Sequence, residues 1–211
     1  MADLLALSRH IIDTGVVDSG TGPTNRLSNE LSEIADDLAI VESFSHCVAW
    51  KTSEGLACFD ASGVVTGPLV VEALNKWTST PVSHLIYTHG HADHIGGSPA
   101  FAAAAAAKGV PNPRVIGHEN IAPRVQRYRD TDGWNRFINA KQFGGIRVEH
   151  QYSLGGSKNH FIPPDVLEVQ ESFREQYVLN IGDHSVELNH AIGETDDHLW
   201  AWVPDKKWIM A

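Results

Sequence analysis

The chain has 211 residues, 42% of them hydrophobic and 20% charged, a composition typical of a soluble catalytic domain with one sizeable core. Its formal net charge of −10 argues against a nucleic-acid-binding surface, which is usually basic, so we expect no nucleic-acid partner. No stretch approaches the roughly 18 apolar residues of a membrane span, and the N-terminus lacks the basic region of a signal peptide. These features predict no membrane association and a cytoplasmic location.

The two cysteines agree with a reducing compartment. Cys47 and Cys58 each lie in an apolar, strand-like run, which favours buried thiols over a disulfide. Nothing in the cysteine content therefore requires an oxidising environment.

In chain order, the sequence divides into an N-terminal arm over residues 1–30 and a domain over residues 31–211. The arm has an apolar start and a turn-rich centre at 18–25. Strand pairs come first in the domain, helix–strand alternation follows, and further strand pairs come last. This order predicts sheets covered by helices, an α/β (α+β) fold.

Periodicity and turn residues locate the individual elements. The alanine run after Ser98-Pro99 predicts a helix that Gly109 ends. Residues 144–165 form a Gly/Pro-rich segment, and strand character resumes from Val166. The strands are expected at 38–52, 55–60, 82–87, 114–116, 177–181, 185–190, 199–203 and 208–210, and the helices at 68–77, 98–108 and through most of 119–141. The strands at 177–181 and 185–190 are expected to form a hairpin that turns at Gly182-Asp183.

The most informative stretch is THGHADHIGG, at residues 88–97. Imidazole and carboxylate are the usual ligands of zinc and similar metals, and His89, His91, Asp93 and His94 supply four of them within six residues. The period of an extended chain puts His89 and His91 on one side, while the next two ligands come where the chain turns and can face a second metal. A polar surface loop is the alternative, which this density of ligand residues disfavours.

This motif resembles that of the metallo-β-lactamase-fold hydrolase superfamily. The resemblance rests on the His-x-His-x-Asp-His spacing behind a hydrophobic strand, with Asp60 ending an earlier strand, and it covers residues 38–211. It implies an αββα sandwich with two metal ions at one edge, zinc in the first place, with Mn²⁺ or Fe²⁺ as alternatives.

The resemblance also implies roles for the motif residues. His89 and His91 would hold the first metal, and Asp93 and His94 would contribute to the second. A water or hydroxide between the metals would be the nucleophile, with Asp93 orienting it as the catalytic residue.

The third ligand of the first metal departs from the family's common pattern. Many members have Gly-His-Thr, whereas this chain has Gly193-Glu194-Thr195. Zinc accepts a carboxylate oxygen, and the alkylsulfatase branch of the superfamily uses a glutamate in this role, so we expect Glu194 to be the ligand. His190 is the alternative, and His198 is expected to orient a ligand rather than bind the metal.

Family members have another bridging acid shortly after the strand that here reads WIMA, and a last histidine further on. The sequence stops at Ala211, inside that apolar strand. We therefore expect a fragment of a longer protein, with an incomplete C-terminal half and an incomplete second metal site. A truncated, non-catalytic metal-binding domain is the corresponding alternative.

The expected substrate is a small molecule, an anionic ester with an apolar tail of the kind an alkylsulfatase cleaves. The segment 119–141 carries arginines and aromatic residues that could frame the anionic head and the tail, although an ordinary solvated helix would also carry such charges. A β-lactamase, a lactonase or a thioesterase is the alternative, and the sequence does not indicate an oligomeric state. The residues concerned are Arg124, Arg127, Arg129 and Arg136, with Tyr128, Trp134 and Phe137.

Overall fold

The computed structural model describes residues 3–16, 27–142 and 160–211. The turn-rich segment predicted at 18–25 and most of the Gly/Pro-rich segment predicted at 144–165 lie outside the described residues. The helices are α1 Leu4–Thr14, α2 Gly67–Trp77, α3 Ala92–Ile95, α4 Ser98–Lys108, α5 Ile121–Asp130 and α6 Asp132–Gln142.

Within the described residues, the larger sheet has seven strands in chain order. Its first four strands form an antiparallel meander, and the fourth to seventh strands pair in parallel through the intervening helices. The strands are β1 Leu31–Ala35, β2 Leu38–Val41, β3 Cys47–Thr52, β4 Gly55–Phe59, β5 Val82–Ile86, β6 Arg114–His118 and β7 Glu171–Phe173.

Within the described residues, the smaller sheet has four antiparallel strands, each of which pairs with the next one in chain order. The hairpin between its first two strands turns at Gly182, which has φ of +59°, as the Gly-Asp pair predicts. The strands are β8 Gln176–Ile181, β9 His184–His190, β10 Leu199–Val203 and β11 Trp208–Met210.

The larger sheet is buried on both faces. All five residues of β4 are buried; Leu56 and Cys58 belong to the core beneath the helices, and Ala57 and Phe59 to the core between the two sheets. Within the described residues the layers are therefore helices, the seven-stranded sheet and the four-stranded sheet, which are three of the four layers of an αββα sandwich. The α/β sandwich that the sequence predicts is confirmed.

Two of the predicted strands were placed wrongly. The strand predicted over 38–52 is two strands, β2 and β3, because the chain reverses at residues 42–46. Glu42 and Ser43 are buried in that reversal, so their polarity marks a turn rather than the exposed face of one long strand. The strand expected from Val166 begins only at Glu171, and β1 and α1 were not predicted.

The carboxyl ends of the parallel strands meet at one edge of the larger sheet, where ligands bind in many α/β proteins. Asp60 follows β4, the motif follows β5, and His118 ends β6. The topology therefore brings the sequence-predicted metal ligands to this edge.

Candidate metal centre

The motif leaves β5 in extended conformation and then enters the short helix α3. His91 is the residue before α3 and has extended backbone angles, φ −71° and ψ 149°. The rings of His89 and His91 lie on the same side, with their centroids 4.7 Å apart, as the extended spacing predicts.

Glu194 completes a group of three potential ligands. It lies on the loop between β9 and β10, far along the chain from the motif, and its carboxylate oxygens are 3.7 Å from Nε2 of His89 and 3.4 Å from Nδ1 of His91. One ligand atom from each residue lies within 4.8 Å of the other two. Two imidazoles and a carboxylate in this arrangement are a donor set that zinc accepts.

The protonation of His89 fits a metal ligand. The Thr88 hydroxyl has one hydrogen and donates it to Asp60, at 2.7 Å, so the contact of 3.1 Å between this hydroxyl and Nδ1 of His89 requires the ring to donate there. The Nε2 lone pair then points towards Glu194. This atom is shielded from solvent and has no hydrogen-bond partner among residues 3–16, 27–142 and 160–211.

Burial favours the same state of the ring. Burial, reinforced by His94, lowers the pKa of His89 to about 3, so the ring is neutral at physiological pH. Burial also lowers the pKa of His91. Because a metal binds only neutral imidazole, no proton has to be displaced from these two rings at neutral pH.

Asp93 and His94 lie beside this group but are already engaged. Oδ2 of Asp93 accepts a hydrogen bond of 2.7 Å from Ser45 and lies 3.7 Å from Nε2 of His94. The rings of His94 and His89 have their centroids 3.9 Å apart. Nδ1 of His94 donates to Asp60 at 2.6 Å. The structure thus brings all five sequence-predicted ligands together around one edge.

The pKa of His94 moves in the opposite direction to that of His89. Burial lowers it, but the carboxylate of Asp60, with further help from Asp93, outweighs burial and raises the pKa to about 9. In the metal-free protein His94 is therefore protonated at neutral pH and bridges two carboxylates.

Asp197, which the sequence did not single out, forms hydrogen bonds with both segments that carry the candidate ligands. Asp197 is fully buried and accepts hydrogen bonds from the backbone N–H of Gly90, at 3.1 Å, from Nε of Arg124, at 2.8 Å, and from the Thr195 hydroxyl. A Cβ on Gly90 would lie 2.8 Å from the Asp197 carboxylate, so only glycine permits this approach.

The network around Asp197 holds the backbone on both sides of the centre. Gly90 lies between the two motif histidines, and Thr195 follows Glu194, so one carboxylate fixes both ligand segments. The Arg124 and Thr195 hydrogen bonds outweigh burial and lower the pKa of Asp197, which keeps it charged. His198 supports the same loop, because its Nδ1 accepts a hydrogen bond of 3.2 Å from the Glu194 backbone.

His190, the alternative third ligand, lies elsewhere. Its ring stacks on His118 with centroids 4.2 Å apart, and its Nε2 is 3.0 Å from the carbonyl of Asp196. It is thus a hydrogen-bonded histidine at the end of β9, and it does not join the group of His89, His91 and Glu194 among the described residues.

Three of the four arginines form ion pairs with the chain itself, as the alternative of an ordinary charged helix expects, and the guanidinium of Arg127 lies over the Tyr128 ring, 5.2 Å from its centroid. Arg124 pairs with Asp196 and Asp197, Arg129 with Glu168, and Arg136 with Asp132. These guanidinium groups are held by carboxylates of the chain itself, so they do not offer an anion site in this structure.

A cavity of about 550 Å³ opens beside the ligand group. One side is formed by the ligands and Ser45, and the other by α6 and by aromatic residues. Tyr128, which the sequence had singled out, is among the lining residues, whereas Trp134 and Phe137 are exposed. The lining consists of Phe44, Ser45, His91, Ala92, Asp93, His94, Tyr128, Asn135, Ile138, Asn139, Gln142, Phe161 and Glu194.

Comparison with known proteins identifies the family. Residues 43–211 match the family model described as the metallo-beta-lactamase superfamily. The chain belongs to this superfamily. Its members are generally metal-dependent hydrolases, which agrees with the ligand group at the edge of the larger sheet. No curated protein is similar enough in sequence to count as a match.

Solved structures share the fold at low sequence identity. A metallo-beta-lactamase from Cronobacter sakazakii, in a form mutated in its HARLDQ motif, is 16% identical with a TM-score of 0.56, over 85% of this chain and 62% of that one. A subclass B3 metallo-beta-lactamase of Bradyrhizobium japonicum is 15% identical with a TM-score of 0.57, over 86% and 59%.

A stereoselective inverting sec-alkylsulfatase from Pseudomonas sp. is also similar, with 15% identity and a TM-score of 0.64, over 86% of this chain and 30% of that one. The chain thus spans about 60% of the length of the two metallo-beta-lactamases. Among residues 3–16, 27–142 and 160–211, no helix is both long and apolar enough to cross a membrane.

Proposed function

We propose that the protein is a zinc-dependent hydrolase in which His89, His91 and Glu194 hold the first of two metal ions. The observation that carries this proposal is the convergence of these three side chains, with the Nε2 lone pair of His89 buried and unpaired within the described part of the chain. When bound, zinc supplies a water that is deprotonated near neutral pH and stabilises negative charge on substrate oxygens.

The residues of the chain prepare this chemistry. Thr88 fixes the tautomer of His89, and His198 holds the backbone of Glu194. We propose Asp93 and His94 as ligands of the second metal and Asp93 as the residue that orients the attacking water. The hydrogen bond from Ser45 supports that role, since it fixes one oxygen of the Asp93 carboxylate while the other can accept from water.

For the substrate, we propose an alkylsulfatase-like ester hydrolysis. Glu194 supports this branch, because a carboxylate occupies the position where many family members have histidine. The apolar part of the cavity suits an alkyl chain, with Phe44, Ile138 and Phe161 in its lining. The likeness to the Pseudomonas sp. sec-alkylsulfatase supports the scaffold, though not the substrate.

The test is sulfate release from dodecyl and shorter alkyl sulfates by the natural protein in full, supplied with zinc or manganese. The full protein is required because this chain spans only about 60% of the metallo-beta-lactamases compared above. We expect metal-dependent release. Absence of sulfate with every chain length and both metals would contradict the alkylsulfatase proposal.

One observation favours a second candidate, a hydrolase that acts on an uncharged reacting group such as a β-lactam, a lactone or a thioester. Among the described residues, the cavity lining contains neither arginine nor lysine. A panel of these substrates, assayed beside the alkyl sulfates, separates the two candidates, because both use the same metals. Zinc binding of one equivalent or less with no hydrolysis of any member of the panel would favour the alternative of a non-catalytic metal-binding domain.

A further inference from the structure

Helix α6 turns amide side chains towards the cavity of the metal centre. Asn135, Ile138, Asn139 and Gln142 line the cavity, and their spacing of three, four and seven residues defines one face of a helix. This face thus presents three amides and one aliphatic side chain to the space beside Glu194 and Asp93.

Two aromatic residues of α6 lie outside this face and are exposed. Trp134 and Phe137 stack on each other with ring centroids 5.7 Å apart, and they are 62% and 49% exposed. A helix that packs only for stability buries its aromatic face and exposes its amides. Because the two aromatic side chains of α6 are exposed and none of its residues is fully buried, packing does not explain why its amides line the cavity.

Asn139 has an unmet hydrogen-bonding group. Its Oδ1 is shielded from solvent and has no partner among residues 3–16, 27–142 and 160–211. The neighbouring Asn135 is fixed, since its Nδ2 donates to the Thr131 hydroxyl at 2.8 Å. Buried polar atoms in native proteins are almost always paired, so an unpaired amide beside a candidate centre points to a ligand that pairs with it.

We propose that α6 is the specificity helix of the hydrolase and that Asn139, with Asn135 and Gln142, binds a neutral hydrogen-bonding group in the substrate. This group, an amide or a hydroxyl, belongs to the part of the substrate beyond the hydrolysed bond. Phe44 and Phe161 pack against the hydrocarbon that joins this polar group to the hydrolysed bond. The proposal rests on the proposed function for the position of the reacting bond.

Charge supports a neutral group. An amide side chain offers both a donor and an acceptor, and so pairs fully with another amide. A second charge on the substrate would meet no arginine or lysine in the described lining of the cavity and would lie near Asp93 and Glu194. The substrate class is therefore an ester with a neutral polar group on an apolar chain.

The experiment measures binding rather than turnover, so that it stands apart from the proposed function. The zinc-loaded natural protein is titrated with N-hexylacetamide and with nonan-2-one, in which a methylene replaces the amide N–H, by ligand-observed NMR. We expect Asn139→Leu to weaken the binding of N-hexylacetamide by about tenfold, the value of one hydrogen bond, and to weaken nonan-2-one less, because nonan-2-one has no N–H for the Asn139 side-chain oxygen to accept. Gln142→Leu, at an exposed position, should act in the same direction.

Phe137→Ala, on the side of α6 away from the cavity, is the matched control and should change neither probe. Zinc content should be equal in all variants. Equal weakening of both probes, or no weakening of N-hexylacetamide in either amide variant, would overturn the proposal. If the protein hydrolyses no ester but N-hexylacetamide binding still depends on Asn139, the proposed function fails while the amide site stands.

Discussion

The two halves of the proposed metal centre differ in what their side chains contact in the metal-free protein. His89, His91 and Glu194 converge from two distant segments, and the Nε2 atom of His89 has no other partner among the described residues. Asp93 and His94 are adjacent in sequence but are already held, by Ser45 and Asp60 respectively. The first half is thus prepared for a metal, whereas the second must first give up a proton.

The difference shows that ligand spacing alone does not make a binding site. The motif supplies both halves within six residues, but the hydrogen bonds around each imidazole decide which state it is in. The hydrogen bond between Thr88 and Nδ1 of His89 leaves Nε2 of that ring unprotonated, whereas the Asp60 carboxylate stabilises the protonated state of His94. We therefore expect the first half to dominate metal affinity.

The largest expected effect follows from removing the buried ligand of the first half. His89→Ala should lower zinc affinity by more than about 100-fold, because even residues that only orient a ligand contribute 10- to 100-fold. Any hydrolysis should be lost with the metal. Zinc titration against a competing chelator measures the affinity, with His10→Ala on α1 as the control. Unchanged affinity in the His89 variant would refute the metal assignment.

The next effect separates the two candidates for the third ligand. Glu194→Gln keeps the size of the side chain but removes its charge, and should weaken zinc binding by about 100-fold. His190→Ala should leave the affinity unchanged, because His190 stacks on His118 instead. The same chelator competition measures both. A loss confined to the His190 variant would reverse the assignment.

A smaller effect is expected from the residue that positions both segments. Asp197→Asn should lower zinc affinity by about tenfold, since the amide cannot hold Arg124, Gly90 and Thr195 together. Asp196→Asn is the matched control, because its carboxylate is 70% exposed and contacts Arg124 alone of these residues. Equal effects in the two variants, or none, would show that Asp197 does not position the ligands.

The smallest effect is a pH dependence of stability in the metal-free protein. His94 has a pKa raised from 6.5 to about 9, so its contribution to the free energy of unfolding is present below 6.5 and is lost as the pH rises through about 9. His89 has a pKa lowered to about 3, so its contribution is lost as the pH falls from 6.5 towards 3.

Denaturant unfolding from pH 4 to 10, with metal removed, measures this dependence, and Asp60→Asn should abolish the alkaline part because it removes the carboxylate that holds the proton on His94. His94→Gln is the control and should remove the same part. An alkaline loss that persists in both variants would contradict the state assigned to His94.

Local patterns in the sequence predicted most of the elements near the centre. The strand before the motif, the alanine helix after it and the hairpin at Gly182 each follow from residues close together in the chain. The reversal at 42–46 was missed because ESFSH contains no glycine or proline, and its buried Glu42 is held by contacts with other segments. Such contacts are not visible in a local pattern.

Contacts between distant segments also shape the candidate metal centre, and they too are not visible in the sequence. The motif named four ligands, and the departure from Gly-His-Thr named Glu194. Nothing in the sequence distinguishes Asp196, 70% exposed, from Asp197, fully buried, because the two are identical and adjacent. The arginines of α5 show the same limit: their number is readable from the sequence, but the carboxylates that pair with Arg124 and Arg129 come from other segments of the chain.

The central claim is tested most directly by identifying the ligands of the first zinc ion bound by the natural protein. A structure determined at one equivalent of zinc should show His89, His91 and the carboxylate of Glu194 on the ion, at about 2.0–2.2 Å. Zinc held by His190 in place of Glu194, or bound first by Asp93 and His94, would contradict the account.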